Sequence, residues 1–241
     1  MSSFSSMWYG KEIGVLGEIT LTSFLYYGHD VTLYLYEKSI KVPKGVNVKS
    51  ANEIVDESLI FNKHSPSSFS DYFRLKLMEK YNTTWIDMDL VCLSEKWEEP
   101  DYLWAKAKSI LPATANNAVF RMPKCEALTY MIEKIESSDK NIQYGVEFGP
   151  FLLQEAIDKF NLDSYSKDSS EFYPIFWPEA FMANNESLKN EVFKRIKKNT
   201  KCFHFWESKM WELSNKKPNE IEPGSYLDWC YNKFVLGNSN G

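Results

Sequence analysis

Cysteine, histidine and glycine are scarce in this chain. Its four cysteines, Cys92, Cys125, Cys202 and Cys230, are far apart and form no Cys-x-x-Cys pair. That speaks against a zinc site and against a disulfide scaffold, and four reduced thiols in a cytoplasmic compartment are expected. Positive charge is also short, with 28 Lys and Arg against 33 Asp and Glu and a net charge of -5. A main activity on nucleic-acid phosphates is therefore not expected. No apolar run approaches the ~18 residues of a membrane-crossing helix. The opening MSSFSSMWYGKE lacks a basic segment followed by an apolar one, so no signal peptide is expected. The ten glycines form no phosphate loop or dinucleotide fingerprint. No Gly-x-Ser-x-Gly elbow or spaced Cys/His pair suggests acyl transfer. Internal repeats and low-complexity linkers are absent.

Aromatic residues are plentiful: 8 Trp, 14 Tyr and 16 Phe in a chain that is 44% hydrophobic. This supports one sizeable core, and 241 residues fit a single α/β domain over residues 1–236 with a frayed tail at 237–241. Residues 4–9 read as a first strand and 11–27 as a helix with a C′ stop at Gly28. The run VTLYLY, residues 31–36, reads as a strand. A short helix is expected around 52–56 and an amphipathic one over 67–81, followed by a strand over 84–88. Further strands are expected at 102–107, 118–122 and 202–206, with helices at 125–135, from Gly149-Pro150 to 160, at 190–198 and at 226–234. Residues 163–171 read as a polar loop. Alternation of this kind predicts a mostly parallel central sheet flanked by helices.

One stretch demands compensation. The strand after the amphipathic helix runs into Asp87-Met88-Asp89. Two carboxylates this close repel each other unless a cation or several donors serve them. Residues two apart on a strand share a face, and the carboxyl end of a strand is where open α/β sheets bind ligands. Two hard oxygen donors there suit Mg²⁺ or Mn²⁺ with a diphosphate; the alternative is a solvated strand end. Upstream, Asp71 and Arg74 are three apart on one helical face, where an intrahelical ion pair would be the ordinary outcome.

The composite Ser-Asp-x-x-Arg, apolar helix, turn, apolar strand, Asp-x-Asp resembles the DXD-motif glycosyltransferases of GT-A fold. It is most similar to the retaining group of capsule-polysaccharide, α-1,4-galactosyl-, N-acetylglucosaminyl- and initiating α-mannosyltransferases, and more distantly to the glucosylating toxins. Met7-Trp8-Tyr9-Gly10 and Gly28-His29-Asp30-Val31 resemble that group's opening unit, and residues 117–124 its segment after the metal motif. Glu147-Phe148-Gly149-Pro150 resembles a recurring helix start, and CFHFW with Ser208 and Trp211 the closing His-x-Trp…Ser-Trp segment. In place of the usual Gly-Gly turn before the metal strand stands Asn82-Thr83-Thr84, whose Asn82 tolerates a left-handed cap.

The resemblance implies a GT-A-like domain and a hexosyltransferase that uses Mn²⁺ or Mg²⁺ and a nucleotide-diphospho-sugar, UDP-linked by preference. A glycan or lipid-linked saccharide would be the acceptor, with retention of configuration. It implies Trp8 on the base, and Asp71 and Arg74 on ribose, base or sugar. Asp87 would serve ribose, sugar or metal, with Asp89 on the metal. His204 would close the pocket with Ser208, Lys209 or Trp211 nearby, and Glu147 would face acceptor or sugar. By its own context His204, between Phe203 and Phe205, reads as a core histidine; His29 reads as structural and His64 as a loop residue. The run Lys194-Arg195-x-Lys197-Lys198 reads as a solvated face or a peripheral contact with anionic lipid. Two other functions share the motif: a binding module without turnover, and a metal-dependent nucleotide-sugar hydrolase or phosphotransferase.

Overall fold

The structure is a computed structural model that describes residues 2–37, 39–60, 66–107, 114–138 and 147–237. His64 and the last four residues of the expected tail lie outside the described residues. The chain opens with β1 (Ser3–Trp8), α1 (Gly14–Tyr26) and β2 (Asp30–Leu35). Gly28 takes φ +77° and lets the chain turn back from α1 into β2, as the glycine at that position predicts. Next come β3 (Asn47–Ser50), α2 (Pro66–Lys80) and β4 (Thr84–Ile86). Pro66 occupies the first position of α2, where its missing N–H costs nothing. Asn82 does not take the left-handed conformation that was open to it.

The remaining elements are β5 (Leu90–Cys92), β6 (Leu103–Ala107), β7 (Thr114–Arg121), α3 (Glu126–Ser137), α4 (Leu152–Phe160), α5 (Lys189–Arg195), β8 (Cys202–His204), α6 (Glu207–Ser214) and α7 (Tyr226–Tyr231). Six strands form one sheet in the order β3-β2-β1-β4-β7-β6. The pairings from β3 through β4 are parallel, and β7 and β6 add an antiparallel edge. Period-two alternation divides the core. Met7, Tyr34 and Trp85 face the layer built by α2, α3 and α4. Phe4, Val31, Leu33 and Ile86 face the layer that holds Leu21 and Phe24 of α1. This is the mostly parallel sheet flanked by helices that the alternation predicts.

Several boundaries differ from the sequence reading, and the most consequential lies at the aspartates. The strand expected over 84–88 stops at Ile86, and Leu90 starts a strand in a second sheet, β5 paired antiparallel with β8. The Asp87 N–H donates to the Ala118 carbonyl of the large sheet at 2.8 Å, whereas the Asp89 carbonyl accepts from the Phe205 N–H of the small-sheet side at 2.9 Å. Each aspartate thus belongs to a different sheet. The free edge of β5 is served by side chains of α1. Thr20 Oγ1 donates to the Leu90 carbonyl at 2.7 Å and accepts from the Leu90 N–H at 3.1 Å, and Ser23 Oγ accepts from the Cys92 N–H at 2.9 Å. Buried hydroxyls there satisfy backbone groups that a neighbouring strand would otherwise pair.

Other differences are smaller. The strand expected over 202–206 ends at His204, and α6 follows immediately. A wider helical turn, Glu147–Phe151, precedes α4, and the basic helix ends at Arg195. Arg195 lies within ion-pair distance of Glu179 and Glu191, and Lys194 of Glu191, so much of that basic run is neutralised. Among the described residues no helix is long and apolar enough to cross a membrane.

Candidate active site

A cavity of about 520 Å³ opens at the carboxyl ends of β1 and β4. Trp8, Asp71, Arg74, Asp87, Asp89, His204 and Ser208 line it, together with Lys209. Five separate elements meet there: the ends of β1 and β4 on the rim of the large sheet, β8 of the small sheet, and the helices α2 and α6. Two residues named from the resemblance are not among its lining. Glu147 is exposed at the start of the turn before α4. Trp211 is buried in the core behind α6, where its indole N–H approaches Glu207 Oε1 at 3.5 Å.

Arg74 organises one wall. Its Nη2 lies 3.2 Å from Asp71 Oδ1 and 3.1 Å from Asp87 Oδ1. Nη1 donates to the Asn117 carbonyl at 2.5 Å, Nη2 to Ser70 Oγ at 3.1 Å, and the guanidinium stacks 4.8 Å from the Trp85 ring centroid. This is more than an intrahelical pair: one buried cation bridges two carboxylates and fills its remaining donors locally. Asp71 also accepts from Asn117 Nδ2 at 2.8 Å. Burial pushes its carboxyl up to about 6, against the opposing pull of Arg74 and Asn117. Gly149 packs directly on that carboxylate, since a Cβ there would stand 2.6 Å from Asp71 Oδ2. Asp87 Oδ1 takes a further hydrogen bond from Trp85 Nε1 at 2.6 Å.

The other wall is built around Asp89. Its Oδ1 lies 3.0 Å from His204 Nε2 and its Oδ2 accepts from the Glu207 N–H at 2.9 Å, at the first turn of α6. Burial pushes this carboxyl up, but the His204 imidazole and the Glu207 N–H outweigh burial and hold it below the ordinary range. Trp206 joins β8 to α6 in the left-handed region, φ 56° and ψ 54°, a conformation bulky side chains rarely adopt and one that collects at functional sites. Its ring packs 4.2 Å from that of His204. Glu207 also lines the cavity, and burial followed by the nearby Asp89 charge pushes its carboxyl up to about 7.

Three ligand atoms, one each from Asp87, Asp89 and His204, lie within 4.8 Å of one another. In an octahedral Mg²⁺ shell with bonds of 2.0–2.1 Å, neighbouring donors stand about 2.9 Å apart and opposite ones about 4.2 Å, so the three atoms must draw together to close on one ion. Two carboxylates with an imidazole suit Mn²⁺ more readily than Mg²⁺. Among the described residues His204 Nδ1 is buried with no hydrogen-bond partner, and the Asp89 carboxylate, an acceptor 3.0 Å from Nε2, places the ring proton on Nε2, which must give it up before that nitrogen can bind an ion. Among the described residues four carboxylates line the cavity, Asp71, Asp87, Asp89 and Glu207, with Arg74 and Lys209 as fixed cations. An anionic diphosphate entering here needs added positive charge, which a divalent ion supplies.

Sequence reasoning missed Asn117 and Glu207. Asn117 carried a faint signal, the second of two asparagines that lead into the apolar Ala118-Val119-Phe120 of β7. Glu207 carried none: its place depends on a strand end and a helix start that only the folded chain brings against Asp89.

No protein family and no curated protein sequence matches the chain. Solved structures similar in fold include the following three. PaToxG glycosyltransferase shares 10% identity at a TM-score of 0.46, with 97% of this chain and 83% of that one covered. The apo-form glycosyltransferase GlyE of Streptococcus pneumoniae TIGR4 shares 11% at 0.48, over 98% of this chain and 64% of that one. The WbbM bifunctional glycosyltransferase in its apo structure shares 15% at 0.42, over 97% and 49%. The chain therefore spans less than two thirds of the length of the last two.

Proposed function

We propose that the chain is a metal-dependent glycosyltransferase that moves a sugar from a nucleotide-diphospho-sugar, UDP-linked, to a glycan or lipid-linked acceptor with retention of configuration. The observation that carries this reading is the convergence of Asp87, Asp89 and His204 with the Asp71–Arg74 wall and Trp8 in one cavity. Asp89, His204 and Asp87 would hold the cation. That ion, when bound, neutralises charge on the departing diphosphate. Trp8 offers its ring to the base, and Asp71, held by Asn117 and Arg74, accepts from sugar or ribose hydroxyls. Arg74, 3.1 Å from Asp87 Oδ1, orients that carboxylate, so that the acidic pair is preorganised before donor enters. Ser208 and Lys209, on the first turn of α6, donate toward the diphosphate. In transfer the bond from the anomeric carbon to the diphosphate oxygen breaks and a bond to the acceptor hydroxyl oxygen forms on the same face. The hydroxyl proton leaves with the departing phosphate oxygen.

Thermal-shift measurement with UDP and Mn²⁺ together, compared with each alone, tests the donor site. The expected result is a stabilisation by the pair larger than the sum of the separate effects. Independent, additive shifts would remove the proposal. Release of UDP from UDP-sugars with and without saccharide acceptor then separates transfer from hydrolysis: transfer requires acceptor-stimulated release.

A further inference from the structure

Eight tryptophans occur in the chain, and seven of them lie in or against one of three core clusters. Trp177 lies in none, and neither does its neighbour Phe176. Trp177 is half-buried and opens a 3-10 helix, Trp177–Asn184. Its indole N–H makes no hydrogen bond to the described residues. The corner is nevertheless held in place: the Phe176 N–H donates to Glu179 Oε2 at 3.3 Å, and Arg195 Nη1 lies 3.4 Å from the same oxygen. The two rings are 6.0 Å apart, inclined at 61°. Lys209 Nζ lies 5.8 Å from the centroid of the Trp177 ring, and Lys209 lines the cavity. Trp177 therefore sits one side chain outward from the candidate donor site.

Trp177 is a large ring left out of the core clusters and placed beside a ligand cavity. Its chemistry matches one class of ligand. A pyranose has an apolar C–H face that stacks on an indole and a rim of hydroxyls that bond to charged groups such as the Lys209 ammonium. The ammonium also favours the ring face electrostatically, which steadies the pair before a sugar arrives. We infer that Trp177, backed by Phe176 and flanked by Lys209, forms a subsite for a pyranose unit of the acceptor just outside the donor cavity. This rests on the donor reading above for the word acceptor; the sugar site itself stands on Trp177.

Saturation-transfer NMR with a fixed panel tests it: methyl α-galactoside, methyl α-glucoside, N-acetylglucosamine, lactose and cellobiose, each with and without UDP and Mn²⁺. The expected result is transfer to at least one sugar that persists with UDP and Mn²⁺ present. Its affinity should fall about fivefold to tenfold in Trp177→Ala, the size of one lost aromatic stacking contact, and recover largely in Trp177→Phe. Tyr26→Ala removes an exposed ring, 51% accessible, that lines a separate cavity at the end of α1, and should leave the signal unchanged. No sugar signal from the native protein at tens of millimolar, a signal unaltered in Trp177→Ala, or one displaced by UDP would each overturn the inference. The thermal shift with UDP and Mn²⁺ is read in parallel on the native protein, so failure of the donor reading shows up there and separately.

Discussion

Gly149→Ala probes how tightly the Asp71 wall is built. A Cβ at Gly149 would stand 2.6 Å from Asp71 Oδ2 and 2.9 Å from both Cγ and Oδ1, where ordinary contact begins at 3.4 Å. Relieving the closest contact moves the carboxylate by about 0.8 Å. Asp71 is 4% exposed and its Oδ1 is tied to Asn117 at 2.8 Å and Arg74 at 3.2 Å. A displacement of that size takes the Asn117 bond beyond hydrogen-bonding range. Losing a buried bond to a charged group costs about 1.5–3 kcal/mol, and overpacking adds about 1–3 kcal/mol. The expected loss is thus about 3–5 kcal/mol, a large part of the stability of an ordinary domain. Urea unfolding should show it as a lower midpoint with an unchanged slope. A double-mutant cycle isolates the cause: in an Asp71→Ala background the same alanine should cost less than about 1 kcal/mol, because the clashing atoms are gone. Equal costs in both backgrounds would refute the reasoning and place the strain in the backbone of the turn instead.

Asp71 also sets a pH dependence. The unfolded carboxyl titrates near 3.8 and the folded one at about 6, so the folded state holds the proton more firmly. Stability from this group is complete below about pH 3.8 and falls by up to about 3 kcal/mol as pH rises through 6; Asp71→Asn should flatten that slope, and an unchanged slope in chemical denaturation would count against it. Arg74→Met leaves two neighbouring carboxylates without their shared cation and should cost about 3–5 kcal/mol at pH 7, with most of the loss recovered by adding Asp71→Asn and Asp87→Asn; a cost under about 1 kcal/mol by calorimetry would show that the bridge is dispensable. Asp89→Ala and His204→Ala should each weaken the Mn²⁺-dependent thermal shift about 100-fold in metal concentration while leaving a folded, cooperative transition; full response to Mn²⁺ in either variant would remove that residue from the metal set.

The outline of the fold was legible where one local rule decides the structure. The Gly28 turn, the α2 stripe and the apolar strand before Asp87 each follow from spacing or from one residue's conformational freedom. The elements that escaped notice depend on partners far along the chain. Asn47–Ser50 is polar and exposed at the sheet's edge, and only its pairing with β2 makes it a strand. β5 looks like a continuation of β4 until β8, more than a hundred residues later, takes it into another sheet. The same distinction holds at the site. Asp71 and Arg74 announced themselves by helical spacing and the two aspartates by their proximity. Glu207 and Trp206 are defined by a left-handed junction that no local pattern of these residues marks, since Trp is an unfavourable choice there.

Because Asp87 hangs from one sheet and Asp89 from the other, the gap between the two carboxylates is not a property of any strand. It is a tolerance between two separately hung panels, and the hinge pins are the hydroxyls of Thr20 and Ser23 on a helix that lines no part of the cavity through those residues. Wear at those pins, by Thr20→Val for instance, would let the gap drift and dull the grip on the ion while every residue facing the ligand remained intact. Mild heating should act likewise, loosening the smaller panel first, so that ion affinity fades at temperatures where the larger sheet is still whole.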